Sequence, residues 1–204
     1  MKNIALLALS IFFVTLSSCD DDKTIVDPVT PELKLTEQEE SDLLFLREEE
    51  KLARDVYLYS YDKYGENIFK NISNSEQKHM DQVLVLLEEY GLTDPASQDR
   101  GVFSDAVLQG LYDDLTALSD SSVVHAFIVG ATIEDLDIKD IVHFEVNTSK
   151  TDLLDMYGAL VCGSRNHMRG YNNQLVSNGV TYVPQFITQA EFDDIINGDH
   201  ESCN

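Results

Sequence analysis

The chain has 204 residues, of which 37 are acidic and 14 are lysine or arginine, so its formal net charge at pH 7 is −23. A surface this acidic repels nucleic acid and anionic membranes and attracts cations, although solubility alone explains much of such a charge. The excess of acidic over basic residues therefore excludes a nucleic-acid-binding function. The length allows one domain with a sizeable hydrophobic core.

The first residues have the pattern of a secretory signal peptide. A single lysine, Lys2, precedes an apolar run over residues 4–16, which is too short to span a bilayer comfortably. The run ends in LSSC, which resembles a bacterial lipobox, and an acidic DDDK follows. We expect residues 1–18 to be removed and Cys19 to carry a lipid, rather than an ordinary signal peptide with an incidental cysteine. This places the protein in the bacterial cell envelope, with the outer membrane or cell surface favoured.

Residues 19–35 are predicted to form a flexible acidic tether, residues 36–197 one helical domain, and residues 198–204 a tail. Capping residues, glycines and apolar spacing predict six helices in the domain. They run from Thr36 to about Tyr64, from about Asn67 to Tyr90, over residues 105–119, from about Ser122 to Glu145, from about Leu153 to Asn178, and from Thr188 to Gly198. The four long helices predict an all-α four-helix bundle, with an extra short helix between the second and third long helices.

Acidic and histidine side chains interrupt the apolar stripes of all four long helices. In the second helix, Glu76 and His79 follow the same spacing as the apolar residues around them, so we expect both to face the core. A buried carboxylate without a partner is unfavourable, and a cation is one candidate partner. The other long helices carry such residues at matching depth: Glu50 or its rival Glu49, Glu134 or its rival Asp137, and His167.

Each of these side chains also has an ordinary structural explanation. Glu50 could pair with Arg54 on the next helical turn. Glu134 could pair with Lys139, and both histidines could be hydrogen-bonded core residues. Their coincidence on four helices favours a metal site over separate explanations. Carboxylates with one or two imidazoles suit iron or manganese better than zinc.

Several sequence blocks resemble those of known helical bundles. EKLARDVY from Glu50, EQKH from Glu76 and HMRGY from His167 resemble the ligand motifs of rubrerythrins. Such carboxylate di-iron bundles use a glutamate from each of two helices and an ExxH from each of the other two. REEEKLARDVY, SEQKHM, VGATIEDLDI and GSRNHMRGY together more closely resemble a ferritin-like family catalogued as domain of unknown function 2202, over about residues 35–196.

The resemblance implies a ferritin-like fold and a metal site, and it selects Glu50 over Glu49. The implied ligands are Glu50, Glu76, His79, Glu134 and His167, with Asp137 as a further candidate. The expected metal is iron, as a pair or a single ion, with manganese as the alternative. Ser164 stands where the fourth helix should supply a glutamate, so the set is one carboxylate short. An asymmetric site, a single metal, a water or Asp137 in the gap, and a degenerate site all stay open.

Three functions agree with this pattern. The first is a redox protein that acts on dioxygen or peroxide, the second a metal-binding or metal-sensing lipoprotein without catalysis, and the third a structural or interaction bundle with a vestigial site. The sequence has no CxxC pair of the rubredoxin type, so it lacks the internal electron donor of a complete rubrerythrin-type peroxidase.

The remaining two cysteines do not predict a disulfide. Cys162 falls inside an apolar helical pattern, which favours a buried and inert thiol, and Cys203 lies among the last residues.

The lipidation of Cys19 is testable in cells. We expect Cys19→Ala to move the protein from the membrane fraction to the soluble fraction, because the lipid is its predicted anchor. Fractionation followed by immunoblotting measures the change. A variant that stays in the membrane fraction as the wild type does would contradict the prediction.

Overall fold

A computed structural model describes residues 34–203, so the predicted signal peptide, Cys19 and nearly all of the predicted tether lie outside the described residues. Within this range the chain forms six α-helices and no β-strand. The helices are α1 (Glu37–Tyr64), α2 (Asn67–Glu89), α3 (Ala106–Ser119), α4 (Val123–Val146), α5 (Thr151–Ser177) and α6 (Gln189–Asn197). None of these helices is both long and apolar enough to cross a membrane. The predicted all-α class is confirmed for this part of the chain.

The helix ends follow from local sequence, and all observed bounds lie within two residues of the predicted ones. Thr36 and Glu39 form the predicted capping box of α1, and Thr188 forms the corresponding box of α6. α1 ends at Gly65, whose φ of 70° is left-handed. Glycine adopts this conformation without steric cost, which explains the sharp stop.

The four long helices pack as a bundle. α1 lies along α2, to which only two residues connect it, and α4 lies along α5. Contacts between α1 and α4 and between α2 and α5 complete the ring of helices around one core. The short helix α3 lies in the predicted connection and packs against α1 and α4, while α6 packs on α5.

The prediction that Cys162 is unpaired is wrong, because it forms a disulfide with Cys203. The chain beyond α6 returns along α5 and brings the two Cα atoms to 5.6 Å, although 41 residues separate them in sequence. The packing of α6 on α5 determines how the chain returns, and the spacing of the cysteines in the sequence does not predict it.

A charged segment of α1, REEEK over residues 47–51, has all its side chains buried. Glu48 accepts hydrogen bonds from the backbone N–H of Asp105 and of the residue before it, at the start of α3. Arg47 donates to the carboxylate of Asp94 in the connection after α2. This segment therefore fastens the long connection between α2 and α4 to the bundle.

Lys51 is completely buried within this segment. Its Nζ donates to Asp55 at 2.7 Å and to the carbonyl oxygens of Asp99 and Val102 at 3.0 and 3.1 Å. The same ammonium lies 4.3 Å from the centroid of the Phe103 ring. A buried charge with a complete set of partners stabilises its surroundings only while all of them are present.

We expect Lys51→Met to lower the free energy of unfolding by about 3 kcal/mol, because Asp55 then keeps only one of its two basic partners and two buried carbonyl oxygens lose their donor. Lys63→Met is the matched control, since it breaks a lysine–aspartate pair with Asp120 whose side chains are 37% and 48% exposed. That variant should lose less than about 1 kcal/mol. Urea unfolding of both variants measures the difference, and equal losses would contradict the role of Lys51.

Candidate metal centre

Five residues from the four long helices meet inside the bundle, and none of them is more than 9% exposed over the whole residue. They are Glu50 of α1, Glu76 and His79 of α2, Glu134 of α4 and His167 of α5. Glu76 and His79 are one helical turn apart and face the same way, as their spacing predicts. The structure therefore brings together all five residues of the ligand set expected from the sequence.

Glu76 lies at the centre of the cluster, with one imidazole at each carboxylate oxygen. His79 Nδ1 is 2.8 Å from Glu76 Oε2, and His167 Nδ1 is 2.8 Å from Glu76 Oε1. His79 Nδ1 also lies 3.1 Å from Glu50 Oε2, and His167 Nδ1 lies 3.4 Å from Glu134 Oε2. The two rings stack with their centroids 5.5 Å apart.

The cluster thus contains two overlapping groups, Glu50–Glu76–His79 and Glu76–Glu134–His167, which share Glu76. In each group one potential ligand atom per residue lies within 4.8 Å of the others, which is close enough to hold a metal ion. Carboxylate oxygens with one imidazole nitrogen form a donor set that suits first-row transition metals.

Several atoms of the cluster have no hydrogen-bond partner within residues 34–203. These are one oxygen of Glu50, one oxygen of Glu76 and His167 Nδ1, which approaches Glu76 without hydrogen-bond alignment. Buried polar atoms in proteins nearly always have partners. The three residues with unpaired atoms all belong to the two groups, so the donor set fits a bound cation.

The electrostatics of the cluster depend on burial and on charge pairing. Burial raises the pKa of Glu50 to about 7, against the attraction of His79. Burial also acts to raise the pKa of Glu76, but the two protonated imidazoles outweigh it and hold that pKa below its usual range. Burial acts to lower the pKa of His167, but Glu76 and Glu134 outweigh it and raise that pKa to about 10. Protons on the histidines and on Glu50 therefore compensate the carboxylates, and a metal ion must displace them.

Two tyrosines flank the cluster, Tyr57 of α1 and Tyr171 of α5. The Tyr57 hydroxyl donates to Glu134 Oε1 at 2.5 Å, and its ring lies 5.3 Å from that of Tyr171. Burial and the neighbouring Glu134 raise the pKa of both hydroxyls well above the usual value, so both keep their protons. Tyr57 consequently acts as a fixed donor that orients Glu134.

The structure separates Glu50 from its rival Glu49. Both are buried, but Glu49 belongs to neither group, and neither of its oxygens has a hydrogen-bond partner in the described part of the chain. Burial, and then the neighbouring Asp140, raise the pKa of Glu49 well above its usual value. Asp137 also lies outside both groups, and its carboxylate accepts a hydrogen bond from the hydroxyl of Ser164.

The ordinary pairings considered for the acids do not occur. Arg54 donates to Asp55 and Gln77 instead of Glu50. Lys139 pairs with Asp140 and not with Glu134. Glu50 is therefore not neutralised by Arg54, and Glu134 is not neutralised by Lys139.

Gly163 of α5 controls the position of His79, and the sequence analysis missed it. A Cβ atom at Gly163 would lie 2.6 Å from His79 Nε2, a distance that real side chains do not tolerate. Only glycine lets α5 approach α2 closely enough at this point. A glycine inside a long helix lowers helix stability and usually has a packing reason, and this was the available clue.

The fold and the site define an all-helical bundle with a buried carboxylate–imidazole cluster that could hold metal ions. The chain belongs to the family described as uncharacterized protein domain (DUF2202), which matches residues 39–199. The family expected from the four sequence blocks is thus confirmed.

A relative in this family has a solved structure. The chain is 46% identical over 172 residues to the uncharacterized protein MJ0754 of Methanocaldococcus jannaschii, which covers 84% of this chain and 93% of that protein. The crystal structure of the hypothetical protein MJ0754 superposes on the structure of this chain with a TM-score of 0.82. The match covers 84% of this chain and 98% of the MJ0754 chain. The bundle architecture is therefore shared with a protein whose structure has been solved.

The role of Gly163 generates a prediction about stability without metal. Gly163→Ala should lower the free energy of unfolding by about 1–3 kcal/mol, because the added methyl group displaces the His79 imidazole. Gly158→Ala is the matched control on the same helix, since its Cβ would have nothing within 4 Å. That substitution should raise the free energy of unfolding by up to about 1 kcal/mol. Denaturant unfolding in the presence of a chelator measures both, and stabilisation by both substitutions would refute the close contact.

Proposed function

We propose that this protein is a ferritin-like metal-binding protein that holds two first-row transition metal ions, iron or alternatively manganese, inside the helical bundle. The observation that carries the proposal is the position of Glu76, whose two oxygens face two different imidazoles. Each imidazole also lies next to a second carboxylate, Glu50 or Glu134. The five residues correspond to the ligand pattern of di-iron carboxylate bundles except at Ser164, where that pattern has a second glutamate of an ExxH pair.

In this proposal Glu50 and His79 hold one ion, Glu134 and His167 hold the other, and Glu76 is shared. A pair of ferrous ions supplies, when bound, the electrons for reduction of dioxygen or peroxide, and we propose this redox activity for the protein. The chain itself holds the ligands in place, with Tyr57 orienting Glu134. Electrons must come from an external donor, because the sequence has no CxxC pair.

A second function, a structural bundle with a vestigial metal site, has an observation of its own. The pKa of His167 is raised to about 10 and that of His79 is also raised, so both imidazoles are protonated and already compensate carboxylates. Ser164 also removes one carboxylate from the expected set. The cluster would then be a buried network of ion pairs that fixes the helix packing.

We further propose that the mature protein is anchored in the bacterial cell envelope through Cys19. The disulfide between Cys162 and Cys203 supports a location outside the cytoplasm, because disulfides persist mainly in oxidising compartments.

Metal stoichiometry distinguishes the two functions. We expect the wild type to bind two Fe(II) or Mn(II) ions per chain, Glu50→Gln to bind one, and Glu76→Gln to bind none, because Glu76 belongs to both groups. Glu49→Gln is the matched control, since it changes an adjacent buried carboxylate outside both groups and should still bind two. Anaerobic loading, gel filtration and elemental analysis give the counts.

Two other outcomes of this experiment would contradict the proposal. A wild type that binds neither metal would establish the vestigial network. Equal losses in Glu49→Gln and Glu50→Gln would mean that the buried charge, and not ligation by Glu50, determines binding.

The pH dependence of metal stabilisation is a separate prediction. The pKa values of Glu50 and His167 are raised to about 7 and about 10, so protonation stabilises the metal-free fold, and this stabilisation is lost as pH rises through those values. Metal ions compete with the same protons. The rise in melting temperature on adding Mn(II) should therefore be larger at pH 8 than at pH 6.

The control for this measurement is the double variant Glu76→Ala with His79→Ala, which removes ligands from both groups. Its melting temperature should not respond to Mn(II) at either pH. A rise in the wild type that is the same at pH 6 and pH 8 would show that the metal binds elsewhere, at groups that do not titrate in this range.

A further inference from the structure

We propose that residues 198–203 form a redox-controlled strap that closes the route by which metal ions enter and leave the cluster. The inference rests on the proposed metal-binding function and adds a control on metal exchange to it. Four observations carry it: a cavity beside the two histidines, the strap residues in the lining of that cavity, the concentration of the strap's polar contacts at Glu201, and the disulfide.

The cavity lies beside the imidazoles and has a volume of about 590 Å³. His79 and His167 are the only cluster residues in its lining. Their side chains are 7% and 11% exposed, whereas those of the three cluster carboxylates are 1–2% exposed. Since Nδ1 of each ring faces the carboxylates, the outer part of each ring faces the cavity. Among the described residues, solvent therefore reaches the cluster past these two rings.

The strap supplies another part of the cavity lining. His200, Glu201, Ser202 and Cys203 line the cavity together with residues of α2 and α5. The side chain of Asn166 on α5 makes two hydrogen bonds of 3.0 Å to the backbone of Glu201. The segment is thus laid along α5 next to the route past the histidines.

The ionic contacts of the strap are partly exposed. The Glu201 carboxylate accepts hydrogen bonds from Arg165 at 2.9 Å and from Arg169 at 2.8 Å. Hydrogen bonding from Arg165 lowers the pKa of Glu201 to about 2, so the pairs persist at physiological pH. The side chains of Arg165, Arg169 and Glu201 are 30%, 14% and 30% exposed, and both ion pairs contact a single residue of the strap, Glu201.

The disulfide is the contact that can keep the strap closed. It joins Cys203 to Cys162 on α5, and it limits the freedom of the intervening chain. Cys203 is exposed, so a thiol reductant can reach it. Reduction by a dithiol breaks the Sγ–Sγ bond, transfers two electrons and two protons to give two cysteine thiols, and leaves the dithiol as a disulfide. The strap then depends on the contacts that Arg165, Arg169 and Asn166 make with Glu201, its end at Cys203 is no longer held covalently, and metal exchange accelerates.

The test measures the loss of Co(II) from the loaded full-length protein to excess EDTA by visible absorption. One sample is oxidised, and the other is treated with dithiothreitol, which is removed under nitrogen before loading. We expect reduction to raise the rate of loss at least tenfold, with the same number of Co(II) ions bound at the start. Cys203→Ser should lose Co(II) at the fast rate with or without prior reduction.

A control excludes general destabilisation as the cause of faster loss. Gly65→Ala strains the left-handed end of α1, far from the strap in sequence, and should lose Co(II) at the rate of the oxidised wild type. Circular dichroism tests whether Cys203→Ser folds. If it does not, the comparison rests on the oxidised and the reduced wild type. Equal rates in oxidised and reduced protein would overturn the strap and leave the metal function standing. Absence of bound Co(II) in both forms would overturn both proposals.

Discussion

The burial of Glu76 between two imidazoles is the interaction on which the interior of this protein depends. Three carboxylates lie together in a region of low dielectric, and such like charges are tolerated only when positive charge is close to each of them. The two histidines provide it at 2.8 Å from the oxygens of Glu76. Because every long helix contributes to the cluster, the same requirement fixes the helices relative to one another. A slip by one turn would move a ligand by about 5.4 Å and break the pairing.

The acidic composition of the chain has an internal component that net charge does not reveal. The segment REEEK of α1 is buried, and its charged side chains contact different parts of the protein around the helix. Glu48 binds the start of α3, Lys51 binds the connection before it, and Glu50 joins the cluster. One short segment thus fastens a long connection and supplies a potential ligand, so α1 cannot rotate to satisfy one of these contacts without losing the others.

The sequence determines the local features of this structure better than the long-range ones. Capping boxes and glycines act over a few residues, which is why the helix bounds were predictable from Thr36, Gly65 and Thr188. The 3.6-residue period placed Glu76 and His79 in the core, since a single helix face decides their burial. Periodicity could not choose between Glu50 and Glu49, because α1 is buried against α2 on one side and against α3 and α4 on others. The disulfide depends on the return of the chain after α6, which no local pattern encodes.

The serine at position 164 and the aspartate at position 137 are explained by each other. Ser164 lies one turn before His167 on α5, and Asp137 lies one turn after Glu134 on α4. The serine hydroxyl donates to the aspartate, whereas a glutamate at position 164 would oppose its charge. Burial raises the pKa of Asp137 well above its usual value, and the neighbouring carboxylates raise it further, with Glu50 acting more strongly than Glu134. The carboxylate that α5 lacks is therefore replaced by a hydroxyl group, which donates to a carboxylate that α4 supplies outside both groups.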